Sequence, residues 1–173
     1  AEPIGDPLLV WSAAARLGIE ADAAAPATQA DLVELGAQVR FRHPLVRSAA
    51  YTTGSQEDRR AAHLALAEAT DREVDPDRRA WHLGMAATGH DEATAAELER
   101  TAIRAQARAG LTAAGTFLQR SASLTPEPAR RAERGLAAAY ANTQAGAYDV
   151  ALGLLAQVEA DAVDDLQLAR VEQ

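Results

Sequence analysis

A chain of 173 residues with a net charge of −8 and no cysteine is long enough for one core or two small ones; neither a disulfide framework nor a cysteine metal site is open to it. Its acidity argues against direct nucleic-acid binding, which takes a basic surface, and the lack of any run of about 18 apolar residues argues against a membrane span. Alanine fills about a quarter of the positions and aromatic residues 4%, a composition that favours closely packed helices over a sheet protein.

Taken in order, residues 1–5 read as a disordered lead-in. Asp6-Pro7 supplies an N-cap and first helical position for a helix through Leu17, stopped by Gly18. The Ala-Pro run at 23–27 breaks the pattern. Thr28 then caps a short helix to about Val33. Gly36-Ala37 separates Val33-Glu34-Leu35 from Gln38-Val39-Arg40-Phe41, a spacing suited to a two-residue type II′ hairpin. Val39 and Phe41 alternate with Arg40 and Arg42, as in a half-buried strand. Pro44 sits where a helix can begin, with Leu45, Ala49 and Ala50 at helical spacing behind it. Helix, helix, small hairpin, helix is the outline of a winged helix.

Ser55 with Asp58 three residues on resembles a capping box, ahead of a helix with Ala62, Leu66 and Ala69 on one stripe. Asp75-Pro76 opens the next helix, with Ala80, Leu83 and Ala87 on its face, Trp81 and Met85 extending it, and Gly89 as its stop. These two form a hairpin pair. From Asp91 the pattern repeats: Leu111, Ala114, Leu118 and Ser121 recur 37 residues on as Tyr148, Ala151, Leu155 and Val158. Tetratricopeptide repeats have a period of about 34 residues with small and bulky side chains at such positions. Gly146-Ala147-Tyr148-Asp149 and Leu124-x-Pro126 are close to that repeat's turn and its closing proline. Helices are expected near 91–109, 112–124, 128–145, 148–160 and 164–173. The last is expected to lack its pair, leaving Leu166 and Val171 as an apolar end through which a homodimer forms.

Chemistry is sparse. His43, His63, His82 and His90 lie in different elements, with no i, i+4 pair and no cysteine beside them, so metal ligation by the set is not expected, and His63 and His82 are expected to be helix-packing or partly exposed residues. Glu97, Glu99, Asp161, Asp164 and Asp165 fall on polar faces or in linkers, as solvated carboxylates do. All seventeen basic residues are Arg, so a P-loop, whose Lys reaches the phosphates, is not here. No hydrolase elbow, Rossmann glycines or zinc motif is found. Arg40, Arg42, His43 and Arg47 form the one positive cluster free of acids. It reads either as a wing with outward Arg and His43 as a helix cap, or as an anion site at a helix N-terminus.

The stretches VRFRHPLVRSAAY, RRAAHLALAEAT and PDRRAWHLGMAA resemble the middle of large ATP-binding LuxR-family transcriptional regulators, signalling ATPases of the STAND class similar to the maltose regulator. The resemblance covers nearly the whole chain, most strongly 39–126. In that architecture a P-loop ATPase runs into a winged-helix-like segment, then helical repeats, then a DNA-binding helix-turn-helix. The resemblance implies an internal fragment: relay and sensor, not engine or DNA reader. It also implies that His43 is the histidine that approaches the bound nucleotide's phosphates; the charges beside it make Arg42 or Arg47 the candidate second contact.

The expected fold is therefore mainly all-α: a truncated winged-helix-like segment with one small β-hairpin (1–53), a linking helical hairpin (54–90) and a tetratricopeptide-like α-hairpin solenoid (91–173). The fragment itself is expected to be no enzyme and to carry no cofactor, ATP or ADP belonging to the full-length protein. Its expected partners are the remaining domains of that protein and an inducer or protein ligand at the repeats, with neither nucleic acid nor membrane, in the cytoplasm. The alternative is a free-standing repeat scaffold that binds a peptide or protein in its concave groove.

Overall fold

The computed structural model describes the backbone of residues 4–171 and the side chains of residues 5–161. The protein is mainly helical with one small antiparallel sheet, and it divides into two compact units, Ala1–Ala86 and Ala87–Gln173. No helix among the described residues is long and apolar enough to cross a membrane.

The first unit runs β1 (Ile4–Gly5), α1 (Pro7–Arg16), a tight helical turn (Ala21–Ala24) continuing into α2 (Ala25–Gln29), β2 (Val33–Leu35), β3 (Val39–Phe41), α3 (Pro44–Thr53), α4 (Gln56–Ala69) and α5 (Pro76–Ala86). Asp6 caps α1 as its sequence position demands, accepting the Leu8 N–H at 2.9 Å. Gly18 then turns the chain at φ +70°. Ser55 and Asp58 close the capping box of α4 in both directions, at 3.0 and 3.1 Å. The α4–α5 hairpin forms as the spacing predicts, and α1 packs on α4.

Four expectations fail in this unit. Ile4 and Gly5 are not a lead-in: they pair with Arg40 and Val39 as an edge strand, giving the order β1-β3-β2. Thr28 does not start a helix. It lies inside α2, where its hydroxyl donates back to the Ala25 carbonyl at 2.9 Å. Pro26 is tolerated because it occupies the first turn, where the missing N–H costs nothing. The hairpin has three loop residues, since Leu35 pairs with Val39; Gly36 keeps a negative φ, so no type II′ turn forms. The Leu45–Ala49–Ala50 face of α3 is uncovered, with Leu45 71% exposed.

The second unit stacks α6 (Glu92–Ala107), α7 (Leu111–Leu124), α8 (Pro128–Gln144) and α9 (Tyr148–Val171), each packed on the next. Ala102, Ala105, Ala114, Leu118, Ala138, Ala141, Ala151 and Leu154 form a continuous core. Small residues let the helices close up. A methyl added at Gly135 would stand 2.6 Å from Val158 Cγ2, and one at Gly115 would collide with the Asn142 amide. The 37-residue offset holds at Ala114 and Ala151, both in that core. It also holds at the turns, where Ala109 (φ 59°) and Gly146 (φ 77°) take the same left-handed conformation. It weakens further along: Leu118 is 6% exposed but Leu155 39%. The reason is that α7 lies between α6 and α8, whereas the one extensive packing of α9 among the described residues is on α8. The expected break between helices 148–160 and 164–173 is absent. The helix runs on, because residues 160–165 hold polar groups but no Gly or Pro to stop it. The expected dimer contacts Leu166 and Val171 lie outside the described side chains.

Candidate functional site

Strand β3 ends at Phe41, and α3 begins at Pro44 with only Arg42 and His43 between them; that junction sets the geometry of the predicted cluster. His43 is the N-cap, in extended conformation, and its Nδ1 accepts the Leu45 N–H at 3.1 Å. A ring that accepts through Nδ1 carries its proton on Nε2 when neutral, so the exposed edge of His43 presents a donor. It does so at the first turn of a ten-residue helix, where unpaired N–H groups and the helix dipole favour an anion.

The cations around it are used unequally. Arg42 is held by Asp31 at 2.8 Å in an exposed ion pair, and Arg40 reaches the Gln38 carbonyl oxygen of its side chain at 3.4 Å. Arg47 is half-buried one turn into α3; its backbone N–H donates to the His43 carbonyl at 3.4 Å, while its side chain makes no hydrogen bond or ion pair among the described residues. Thus chain adjacency brings Arg42 and His43 together at the helix start. Of the two arginines expected to assist, Arg47 is the one with no prior engagement.

Two further polar clusters escaped the sequence reading. Glu99 was expected on a solvated face; instead it and Glu92 enclose Arg134, which is 2% exposed. Both Arg134 terminal nitrogens reach Glu92 at 2.9 Å, and Glu99 Oε2 accepts at 2.8 and 3.1 Å. Thr125 Oγ1 accepts the remaining donor at 2.6 Å, so all five guanidinium N–H groups are satisfied. Burial works against this charge, but the hydrogen bonds to Glu92 and Glu99 outweigh it and raise the Arg134 pKa. Arg134's hydrogen bond in turn lowers that of Glu92. The signal was present as Glu92 and Glu99 seven apart on α6, facing Arg130 and Arg134 four apart on α8. Asp161, expected in the open, lies 3.6 Å from Arg131; the Asp164 and Asp165 side chains are outside the described set.

The second missed cluster is Tyr51–His63–His82. His63 and His82 stand six residues from the facing ends of α4 and α5, equal heights on a helical hairpin. Their Nδ1 atoms meet at 2.9 Å, and the Tyr51 hydroxyl lies 3.2 Å from His63 Nε2. Burial lowers the pKa of His63. Burial, then the charges of His63 and Arg78, push His82 down to about 4, against a smaller opposite pull from Asp75. Among the described residues no group of three or more His, Cys, Asp or Glu is placed to hold a metal ion.

No family model, curated protein or solved structure matches this chain.

Proposed function

We propose that this chain is the relay and sensor segment of an ATP-dependent LuxR-family transcriptional regulator of the STAND class. In this reading it passes nucleotide state and signal binding to a DNA reader elsewhere in the same protein. The observation that carries the reading is His43: a helix cap whose free ring edge offers an N–H donor beside the first turn of α3, in the motif that resembles the family's phosphate-approaching histidine. Arg47 supplies a second donor, and Arg42 a third if Asp31 releases it. The bare Leu45 face beside the cap gives the ATPase domain apolar ground to dock on.

On this reading residues 1–53 are winged-helix-like, a description supported by the hairpin and its added edge strand. Residues 91–173 are tetratricopeptide-like, supported by the 37-residue equivalence of core and turn positions. The repeats take the inducer or a protein ligand, the missing domains hold ATP or ADP, and the chain alone turns over no ATP. With a net charge of −8 it leaves DNA contact to the helix-turn-helix.

A free-standing peptide-binding scaffold is the second reading, favoured by one observation: Ile103 and Tyr140, 37 residues apart and so at equivalent repeat positions, are both exposed, with Leu136 beside Tyr140. Reading the coding sequence on either side separates the two. An upstream P-loop with a downstream helix-turn-helix supports the relay, whereas stop codons close to both ends overturn it.

A further inference from the structure

The Tyr51–His63–His82 chain has no part in reading a phosphate, yet it ties three helices together. A contact between two Nδ1 atoms at 2.9 Å holds only while one proton lies between them. With both rings neutral, the Nδ1–H of one donates to the lone pair of the other. A first added proton is accommodated on the outer Nε2 of the donor ring; where that ring is His63, the Tyr51 oxygen turns from donor to acceptor. A second proton puts an N–H on both Nδ1 atoms. Two donors then face each other, and two cations stand with ring centroids 5.1 Å apart.

We propose that Tyr51–His63–His82 is a proton-responsive latch: it holds α3, α4 and α5 together while at most one proton is added, and releases α5 from α4 when both histidines are charged. This inference does not depend on the regulator reading.

The surroundings favour the closed, uncharged form. From α4, the Arg59 guanidinium lies 5.4 Å from the centre of the Tyr51 ring. At the start of α5, Arg78 disfavours a charged His82 and Asp75 favours it, the two being paired to each other at 3.1 Å. From α1, the other helix packed on α4, Arg16 is held at 3.7 Å by Glu68. Both rings have pKa values below the ordinary 6.5, so the unfolded or released state binds more protons. The contact's contribution is therefore complete above pH 6.5 and is lost as pH falls toward about 4.

The test uses the whole chain with nitrogen-labelled histidine, titrated from neutral to acidic pH, beside the emission of Trp81 in a Trp11→Phe background. The latch predicts a hydrogen-bonded Nδ1 pair at neutral pH that titrates in two coupled steps below 6.5. It also predicts a red shift of Trp81 on acidification while far-UV helix content holds. In His82→Gln the amide replaces the ring without titrating, so the Trp81 shift should vanish. Two histidines titrating independently near 6.5, or an unchanged Trp81 shift in His82→Gln, would overturn the proposal. Should the variant not fold, the wild-type nitrogen titration decides alone.

Discussion

Among the described residues of 87–173 four leucines, Leu98, Leu118, Leu124 and Leu154, are buried among the alanines, while every buried apolar side chain described in the first unit is an alanine: Ala13, Ala65, Ala67 and Ala80. At about 0.8 kcal/mol per buried CH₂, the second unit gains more from each buried position. The polar chemistry divides the same way. Arg134 has no donor left over, whereas the first unit holds an exposed His43 edge, an unengaged Arg47 and a histidine pair that two protons break. One unit is built to keep its arrangement and the other to change it, which fits the proposed relay with residues 87–173 as its rigid part.

The largest expected effect lies at the closed network. Arg134→Met removes the five guanidinium hydrogen bonds and leaves Glu92 and Glu99, among the described residues, only their longer contacts to Arg130, at 3.5 and 3.7 Å; the loss of charge-assisted hydrogen bonds should cost about 3 kcal/mol. Both tryptophans, Trp11 and Trp81, are in the first unit, so their fluorescence isolates it while circular dichroism follows all the helices. In urea, the helical transition should move to lower denaturant and the tryptophan transition should stay. If the two move together, the units unfold as one and the contrast between them fails.

Overpacking comes next. Ala151 is buried in the core of the second unit, so Ala151→Leu should cost about 1–3 kcal/mol, read as a lower melting temperature. Ala147→Leu, at the turn, should move it little. Equal effects would mean that Ala114 and Ala151 do not occupy equivalent contacts.

A smaller effect sharpens the 37-residue correspondence. Ala109 pays for a left-handed φ that its counterpart Gly146 adopts freely. Ala109→Gly should therefore stabilise the second unit by up to about 1 kcal/mol, and Gly146→Ala should destabilise it by a similar amount. Opposite signs in paired melting curves check both halves at once.

Much of this architecture was legible because it is local. Asp6-Pro7, Ser55 with Asp58, and Pro44 after a strand each state a helix start in two to four residues, and helices α6, α7 and α8 fall within two residues of expectation. What was not legible depends on partners distant in sequence. Two residues such as Ile4-Gly5 carry no strand signal until β3 is there to pair with them. Leu45 has the spacing of a core residue, but no neighbouring element covers it. Glu99 reads as solvated until Arg134 arrives from another helix. Of the site, the sequence identifies His43 as a cap or an anion contact, and its Nδ1 hydrogen bond makes those two roles compatible: one nitrogen caps and the other is left to read a ligand.

That compatibility is the central claim, and it is tested most directly by ADP affinity and reporter activity of His43→Ala and His43→Asn in the full-length regulator that the proposed function implies, measured beside the melting curves of the 173-residue chain. Asparagine keeps a cap, and alanine loses it at a cost of about 1 kcal/mol or less, so both chains should melt close to the parent. Both variants should nonetheless retain ADP less well and raise basal transcription, since neither presents the Nε2–H. Unchanged ADP affinity together with a much lower melting temperature for His43→Ala would make His43 a structural residue and contradict the account.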